Sequence, residues 1–367
     1  MPKILKAIGL MSGTSLDGID AAVLETDGED VARPGPALTI AYDADTRAML
    51  REALSEARNV AEGAPIPWSI RDAERRLTEA HASAVQALLE KARLAPRDVT
   101  LIGFHGQTIL HRPQDRWTWQ IGDGALLARA TGIDTVNDFR SADVKAGGQG
   151  APLVPLYHAA LIRSAKLKQP AAIVNIGGVA NVTYVDGETI LAFDTGPGNA
   201  PIDDWAQRHA GKPVDEDGAL AAKGKVDSEV LERMLQYDFF TRSGPKSLDR
   251  LDFGMADVEH LSPEDGAATL TAFTAATIAR AREHFPDSAE TWIVCGGGRH
   301  NKTLMNELRA RLNVPVVPAE HENWRGDFIE AEAFAYLAVR SVNGLPLSLP
   351  TTTGVPEPMT GGKLHKA

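Results

Sequence analysis

Two glycine-rich polar turns carry the residue types that bind phosphate. The first, SGTSLDG, spans Ser12–Gly18, and the second, NIGGVANV, spans residues 175–182. Glycines remove the Cβ atoms that would keep a ligand away, and backbone N–H groups in such turns converge on an anion. Thr14 and Ser15 add hydroxyl donors. Alone, the first turn is equally well explained as an ordinary β-turn. The second turn favours a pair that clamps a polyphosphate from both sides.

Three carboxylates could assist chemistry at such a phosphate site. Asp17 and Asp20 cannot bind phosphate directly, but Mg²⁺ prefers one or two carboxylates and keeps its waters, so we predict water-mediated magnesium contacts. Asp194 follows the apolar run ILAF and precedes Gly-Pro-Gly. Ligands in α/β proteins lie beyond the carboxyl ends of strands, so this carboxylate is placed to accept a proton. An Asx-turn or a helix cap is the alternative role.

The segment CGGGRHNKT, residues 295–303, nearly matches a P-loop between a strand and a helix. Asn301 stands where the second glycine of that pattern belongs, which makes the match weak. In the P-loop interpretation Lys302 would contact phosphate. A glycine-lined shelf for a flat adenine or ribose explains the same residues and needs only a close approach of the backbone.

Further polar residues are candidates for lining a substrate. FHGQTILH predicts a polar lining segment of His105, Gln107 and Thr108, while its two histidines lack the third partner of a metal site. Arg140 could pair with an anionic group in a bidentate way or form a structural salt bridge. Glu330 and Glu332 point apart at helical spacing, so we expect one to face a cleft and the other to be solvated.

Composition bounds these possibilities. The chain has 367 residues, enough for two domains, and a formal net charge of −11 with no basic run, which disfavours nucleic acid and anionic membrane as partners. Cys295 is the one cysteine, so disulfides within the chain are excluded. The N-terminus lacks the pattern of a signal peptide, and no stretch is long and apolar enough for a membrane span. We expect a cytoplasmic protein.

The elements that must position these residues alternate between strand and helix, which predicts an α/β fold. Both glycine-rich turns lie inside apolar hairpins that end in Asp-Gly, and this echo suggests two domains of like topology. The Gly/Pro-rich stretch 145–155 fits neither element. We place a boundary near it, with a first domain over 1–138, a second over 139–344, and a tail, 345–367, that could return to the first.

Several motifs together resemble the anhydro-N-acetylmuramic acid kinase family over nearly the whole chain and in the family's order. They are GLMSGTSLDGIDAAVLE, HGQTILH, DFRSADVKAGGQGAPLVP, NIGGVANV, FDTGPGN and VCGGGRHN. The resemblance implies a fold of two similar actin/hexokinase-like (RNase H-like) domains flanking a nucleotide cleft. It also implies a homodimer, with the segment FRSADVKAGG as a candidate interface.

The resemblance assigns a role to each candidate residue. It implies that Asp194 is the catalytic residue and that Glu330 contacts the substrate. The implied ATP-binding residues are Gly13, Thr14, Ser15, Leu16, Asp17, Gly18, Ile19, Asp20, Asn175, Gly177, Gly178, Asn181, Gly296, Gly297 and Gly298. The expected substrate-binding residues are His105, Gln107, Thr108, Arg140, Gly196 and Glu330.

The implied reaction uses ATP and Mg²⁺ to open 1,6-anhydro-N-acetylmuramic acid and to phosphorylate O6 in cell-wall recycling. Three rivals stay open at this point. A nucleotide sensor or chaperone-like ATPase on the same fold would need no sugar-lining segment. A P-loop enzyme would depend on Lys302. An ordinary hexose kinase would phosphorylate a sugar whose ring is already open.

Overall fold

The structure is a computed structural model that describes residues 3–13, 15–248 and 253–367. Thr14, a predicted ATP-binding residue, lies outside the described residues. The chain divides into two compact units, Met1–Ala165 with Phe328–Ala367, and Lys166–Asp327. In the described part of the chain no helix is both long and apolar enough to cross a membrane.

The strands and helices of the described residues are as follows. The strands are β1 (Leu5–Ser12), β2 (Gly18–Thr26), β3 (Arg33–Ala41), β4 (Leu101–Arg112), β5 (Trp117–Ile121), β6 (Thr135–Asn137), β7 (Ala171–Ile176), β8 (Val179–Asp186), β9 (Thr189–Pro197), β10 (Thr291–Cys295), β11 (Val316–Pro318) and β12 (Lys363–His365). The helices are α1 (Ala44–Ala57), α2 (Trp68–Ala92), α3 (Gly124–Thr131), α4 (Ser141–Lys145), α5 (Pro155–Ala165), α6 (Ala200–Ala210), α7 (Ser228–Met234), α8 (Pro263–Arg280), α9 (Lys302–Leu312), α10 (Ile329–Val342) and α11 (Pro350–Thr353).

The two units have sheets of the same topology. In the first unit the order is β3-β2-β1-β4-β6-β12, with β5 paired to β4. In the second unit it is β9-β8-β7-β10-β11. Each sheet begins with a three-stranded antiparallel meander and continues with two parallel strands. The predicted fold class, two similar α/β domains that each open with a hairpin, is confirmed by this shared order.

Helix α10 packs directly on the central strands of the first sheet. A Cβ at Gly9 of β1 would lie 1.7 Å from the carbonyl oxygen of Ala331, and one at Gly103 of β4 would lie 1.9 Å from that of Phe334. Only glycine at both strand positions therefore allows this close approach. The contact holds the start of α10, with Glu330, against the sheet that carries the first glycine-rich turn.

This packing also explains why the two units divide at 165/166 and at 327/328. The boundary predicted from the sequence lies after residue 138. Helix α5 belongs with the first unit because Tyr157 donates to Glu332 over 2.7 Å and its ring contacts that of Tyr336. The segment after residue 327 returns to the first unit as α10. At the end of the chain β12 pairs antiparallel with β6, with Leu364 opposite Val136.

Candidate active site

The first glycine-rich turn joins β1 to β2 and is anchored by Leu16. Its N–H donates to the carbonyl oxygen of Gly13 over 3.1 Å, and its backbone lies in the left-handed region with φ 58°. The side chains of Leu16 and Ile19 are buried in the core of the first unit. These two predicted ATP-binding residues therefore have only backbone groups to offer a ligand, while Ser15 and Asp17 are exposed.

Gln107 is tied to the base of this turn. Ser12 Oγ donates to Gln107 Oε1 over 2.6 Å and also bonds the hydroxyl of Tyr42 at 2.9 Å. Gln107 is fully buried, and its amide nitrogen donates to the carbonyl oxygen of Thr108. This side chain, which is predicted to line the substrate, holds the end of β1 against β4. Thr108 is half-buried, and its hydroxyl accepts from Gln120 over 3.2 Å.

Three of the predicted ATP-binding glycines have no structural reason to be glycine. None of Gly13, Gly177 and Gly297 has a positive φ. A Cβ at these positions would meet nothing closer than 3.8, 3.7 and 3.5 Å, respectively. The fold would accept alanine at each site, so the missing Cβ leaves space beside the backbone. That space is what a phosphate or a nucleoside needs for close approach, and these positions fit ATP.

Other glycines of the predicted site are required by packing. A Cβ at Gly18 would lie 2.3 Å from the carbonyl oxygen of Ile40, and one at Gly298 would lie 2.4 Å from Ile176 Cγ2. Gly296 has φ +73°, and a Cβ there would lie 2.3 Å from Asn175 Oδ1. Gly196, a predicted substrate-binding residue, packs against Thr277 of α8.

In the second unit, Asn199 joins three of the predicted segments. Its N–H donates to the carbonyl oxygen of Gly177 over 2.7 Å, and its side-chain amide donates to that of Ile176 over 3.2 Å. Its side chain also faces Gly297 and Gly298. The second turn, the loop after β9 and the glycine shelf thus meet at one asparagine. Asn199 is not among the predicted site residues, although it is the last residue of the FDTGPGN motif.

The second turn itself is carried by the hairpin of β7 and β8. Asn175 and Asn181 are paired across these antiparallel strands. The carbonyl oxygen of Gly178 accepts from the N–H of Gly198 over 2.9 Å. This turn is therefore braced by the loop that follows β9, while a Cβ at Gly177 within it would meet nothing closer than 3.7 Å.

Asp194 lies within β9 and not just past its end, because the strand continues to Pro197. Thr195 is the extra residue of a bulge, since Asp194 pairs with Asn181 and Gly196 pairs with Ala180. Bulges re-aim neighbouring side chains and are common beside active sites. The carboxylate is 7% exposed and accepts from the N–H of Leu248 at 2.8 Å.

In the first unit buried His105 and half-buried Arg140 form a hydrogen-bonded pair. The Nε and one Nη of Arg140 both lie 3.1 Å from His105 Nε2, and the other Nη donates to the carbonyl oxygen of Gly150 over 2.6 Å. Because arginine can only donate, His105 Nε2 is the acceptor and Nδ1 carries the proton that it donates to Gly106. Burial, with help from Arg140, holds the pKa of His105 well below its usual value.

Glu330 lies in the electrostatic field of two other predicted site residues. Burial raises the pKa of Glu330, the charge of Arg140 opposes that rise, and the charge of Asp20 adds to it. The structure thus brings Asp20, Arg140 and Glu330 together in the first unit. The expectation that one of the paired glutamates is solvated is wrong. Glu330 is half-buried and Glu332 is fully buried, because α10 is enclosed between the sheet and α5.

Arg299 holds the glycine shelf of residues 296–298 in place, and Lys302, the lysine of the P-loop interpretation, forms an ion pair on the surface. Arg299 is buried and binds Asp327 through two nitrogens, and it also donates to Glu320 and to the carbonyl oxygen of Gly296. Lys302 bonds Asp217 at 3.0 Å in an exposed pair. Lys302 is therefore directed into a surface ion pair, which disfavours the P-loop interpretation.

Among the described residues no group of three or more His, Cys, Asp or Glu side chains could hold a metal ion. Asp17 is exposed, and Asp20 accepts from the hydroxyl of Thr39 over 2.5 Å. This donor set does not form a protein cage. It fits a Mg²⁺ that keeps its waters and takes one or two carboxylates alongside phosphate oxygens.

Two α/β units of one topology, each carrying a glycine-rich turn on its opening hairpin, define a class of protein: the actin/hexokinase-like proteins built from two similar α/β domains. The chain belongs to the anhydro-N-acetylmuramic acid kinase family, whose model matches residues 5–367. The chain is thus an enzyme, an ATP-dependent kinase, and the predicted resemblance is confirmed.

Relatives of this family match along the full chain. Proteins named anhydro-N-acetylmuramic acid kinase from Rhodospirillum rubrum and Azorhizobium caulinodans are each 54% identical, covering 97% and 99% of this chain and 93% and 99% of their own lengths. One from Rhizorhabdus wittichii is 53% identical over the whole of both chains. Among solved structures, a ROK hexokinase from Thermus thermophilus aligns with a TM-score of 0.41 and 16% identity over 92% of this chain and 99% of its own.

Proposed function

We propose that this kinase opens the anhydro ring of 1,6-anhydro-N-acetylmuramic acid and phosphorylates O6, producing N-acetylmuramic acid 6-phosphate and ADP in cell-wall recycling. Identity of 50–54% over nearly the whole chain with relatives of that name supports the substrate. The observation that carries the chemistry is the buried carboxylate of Asp194, which lies on the bulged strand β9 and accepts a hydrogen bond from the N–H of Leu248. The loop that follows β9 braces the second glycine-rich turn.

The chemistry of the substrate explains why a base is needed. In a 1,6-anhydro sugar O6 is bonded to C1, so no free 6-hydroxyl is present. Water attacks C1, the C1–O6 bond breaks, and O6 forms a bond to the γ-phosphorus as ADP leaves. Asp194 takes the proton of the attacking water. The phosphoryl group captures O6, so no second carboxylate is needed as an acid, in contrast to glycoside hydrolysis.

The remaining residues align the phosphates and the sugar. Phosphoryl transfer depends mainly on positioning and on neutralising charge. In this proposal the open faces of Gly13 and Gly177 let backbone N–H groups reach ATP phosphates, and Gly297 lies beside the adenosine. Asp17 and Asp20 would hold Mg²⁺ through water, and the ion would supply positive charge beside the phosphates. Glu330 and Arg140 contact the sugar.

Two further properties belong to the same proposal. We infer a homodimer on the family resemblance, with the segment around residues 139–148 as a candidate interface, and sedimentation velocity of the full chain tests it. We infer a cytoplasmic setting because the reaction consumes ATP and because the chain has one cysteine, Cys295, so no disulfide can form within it.

One assay tests the proposed reaction against its rivals. The enzyme is incubated with MgATP and the anhydro sugar, the ring-opened sugar, or neither. We expect ADP and a 6-phosphate only with the anhydro sugar. ADP release without sugar would indicate an ATPase or sensor, and phosphorylation of the opened sugar at an equal rate would indicate an ordinary hexose kinase.

A further inference from the structure

The loop of residues 239–248, which belongs to the second unit like Asp194 itself, holds Asp194 in place. The N–H of Asp194 donates to the carbonyl oxygen of Lys246 over 3.0 Å. Two residues later the N–H of Leu248 donates to Asp194 Oδ2 over 2.8 Å. The loop therefore grips both the backbone and the carboxylate of the same aspartate, and its position sets the direction of that carboxylate.

The side chain of Lys246 keeps this loop closed. It is 9% exposed, and its ammonium donates to the carbonyl oxygens of Phe239 and Arg242 over 2.9 and 2.8 Å. The ammonium also lies 4.5 Å from the centroid of the Phe239 ring, where a cation is attracted to the ring face. A side chain without donors would leave two carbonyl oxygens without these bonds, which is costly where water is largely excluded.

The closed loop is packed on the strand that carries the aspartate. A Cβ at Gly244 would lie 2.8 Å from Phe193 Cδ1, and the Lys246 ammonium lies 5.7 Å from the centroid of the same ring. Phe193 directly precedes Asp194 on β9. A change in the loop is therefore transmitted to Asp194 by side-chain packing as well as by hydrogen bonds.

The charged surroundings of Lys246 make its protonation sensitive to pH. Burial lowers the pKa of Lys246 to about 8, and the positive charges of Arg280 on α8 and of Arg242 in the loop act in the same direction. The negative charge of Asp194 opposes the decrease. His284, after α8, is a further titratable group among the described residues, and its own pKa is lowered by burial and by Lys246. His284 is neutral at the alkaline pH where Lys246 titrates.

We propose that Lys246 is a positioning residue for Asp194: its ammonium holds the 239–248 loop closed, and the closed loop aims the carboxylate at the attacking water. The inference rests on the proposed function, in which Asp194 is the base. The protonated amine has three donors and a charge, whereas the neutral amine has one donor fewer and no charge. Turnover therefore follows the protonated form of Lys246.

The test compares the full-length wild type with Lys246→Arg and Lys246→Met from about pH 6 to about pH 10, the range that spans the lysine titration. We expect wild-type kcat to decline above about pH 8, by up to tenfold per pH unit. Lys246→Arg keeps its charge throughout, so its decline moves to higher pH. Lys246→Met lowers kcat by about 10²-fold with little change in KM for ATP, because the base is misaimed while the nucleotide residues are intact.

Two outcomes would overturn the inference: an alkaline decline at the same pH in wild type and Lys246→Arg, or wild-type kcat in Lys246→Met. If Lys246→Met does not fold, as its melting temperature would reveal, the wild type and Lys246→Arg pair still decides. Asp194→Asn is measured in parallel. Full turnover in Asp194→Asn refutes the proposed base itself. If Asp194→Asn loses turnover but Lys246→Arg shows the same pH dependence of kcat as the wild type, only the positioning role of Lys246 is refuted.

Discussion

Ser12 Oγ donates to Gln107 Oε1 over 2.6 Å, and this buried bond joins the end of β1 to β4 directly beneath the first glycine-rich turn. Gln107 lies in the HGQT motif and Ser12 in the SGTSLDG motif, so the two motifs are physically one unit. The relationship gives Gln107 a structural contribution to the first glycine-rich turn.

Gln107→Leu should therefore impair nucleotide binding and stability together. Loss of the acceptor leaves a buried hydroxyl with one partner fewer, at a cost of about 1–3 kcal/mol of unfolding free energy. We also expect a higher KM for ATP. Urea unfolding and ATP kinetics of Gln107→Leu, Ser12→Ala and the double variant check this. If the loss of unfolding free energy in the double variant equals the sum of the losses in the two single variants, the two side chains are not coupled.

Alanine at Gly13, Gly177 or Gly297 should weaken ATP binding without destabilising the fold. A Cβ at these positions meets nothing within 3.4 Å in the protein but would occupy the space beside the backbone that the nucleotide needs. We expect KM for ATP to rise by about tenfold or more, the effect of about 1.4 kcal/mol of lost binding. Thermal unfolding should be unchanged or slightly improved.

Two other glycines provide controls for that experiment. Gly254 also has open space around it and no positive φ, so Gly254→Ala should alter neither ATP binding nor stability. Gly298→Ala should lower stability, since its Cβ would press on Ile176 at 2.4 Å. An unchanged KM in all three site variants would remove these glycines from the nucleotide site.

Asp194→Asn should fold normally and lose about 10²–10⁴ in kcat, the usual contribution of a general base. The asparagine oxygen can still accept from Leu248, so the loop geometry is kept. Single-turnover formation of ADP with saturating anhydro sugar is the measurement, and circular dichroism verifies the fold. A variant with near wild-type turnover would exclude Asp194 from the reaction.

Lys302→Ala should leave KM for ATP and kcat unchanged. Its ammonium is paired with Asp217 on the surface, and exposed pairs contribute at most about 1 kcal/mol. Steady-state kinetics with ATP as the varied substrate check this directly. Loss of ATP binding in this variant would revive the P-loop interpretation of GGGRHNKT.

Stability should fall as the pH drops below about 6.5, because three histidines of the first unit are buried in neutral form. Burial lowers the pKa of His81 to about 4 and of His158 to about 3, and the pKa of His105 lies well below its usual value. Below 6.5 the unfolded chain binds protons that the folded chain does not, so each histidine costs up to about 1.4 kcal/mol per pH unit.

Urea unfolding between about pH 8 and about pH 5 measures this slope, in a range where most carboxylates stay ionised. His158→Gln should reduce the slope by the contribution of one proton, whatever it does to stability at pH 8. A slope that is flat through this window would mean that these histidines are protonated in the folded state.

Several features followed from local sequence alone. The two hairpins, their glycine-rich turns and the α/β alternation were predictable, because turn residues and apolar periodicity act over a few neighbours. The family motifs added the kinase activity. Asn199 could have been chosen on the same evidence, as the last residue of FDTGPGN next to the predicted base.

Only the tertiary structure decided which distant segments meet. The return of α10 to the first unit depends on glycines at positions 9 and 103 that admit its backbone, and no local pattern near residue 328 reveals this. The bond between Gln107 and Ser12, which are 95 residues apart, could not be read from either motif alone. No motif near Lys246 predicted its proposed role, since that role depends on the burial of its side chain beside Asp194. Sequence determines what a residue can bond, whereas long-range packing determines which partner it has.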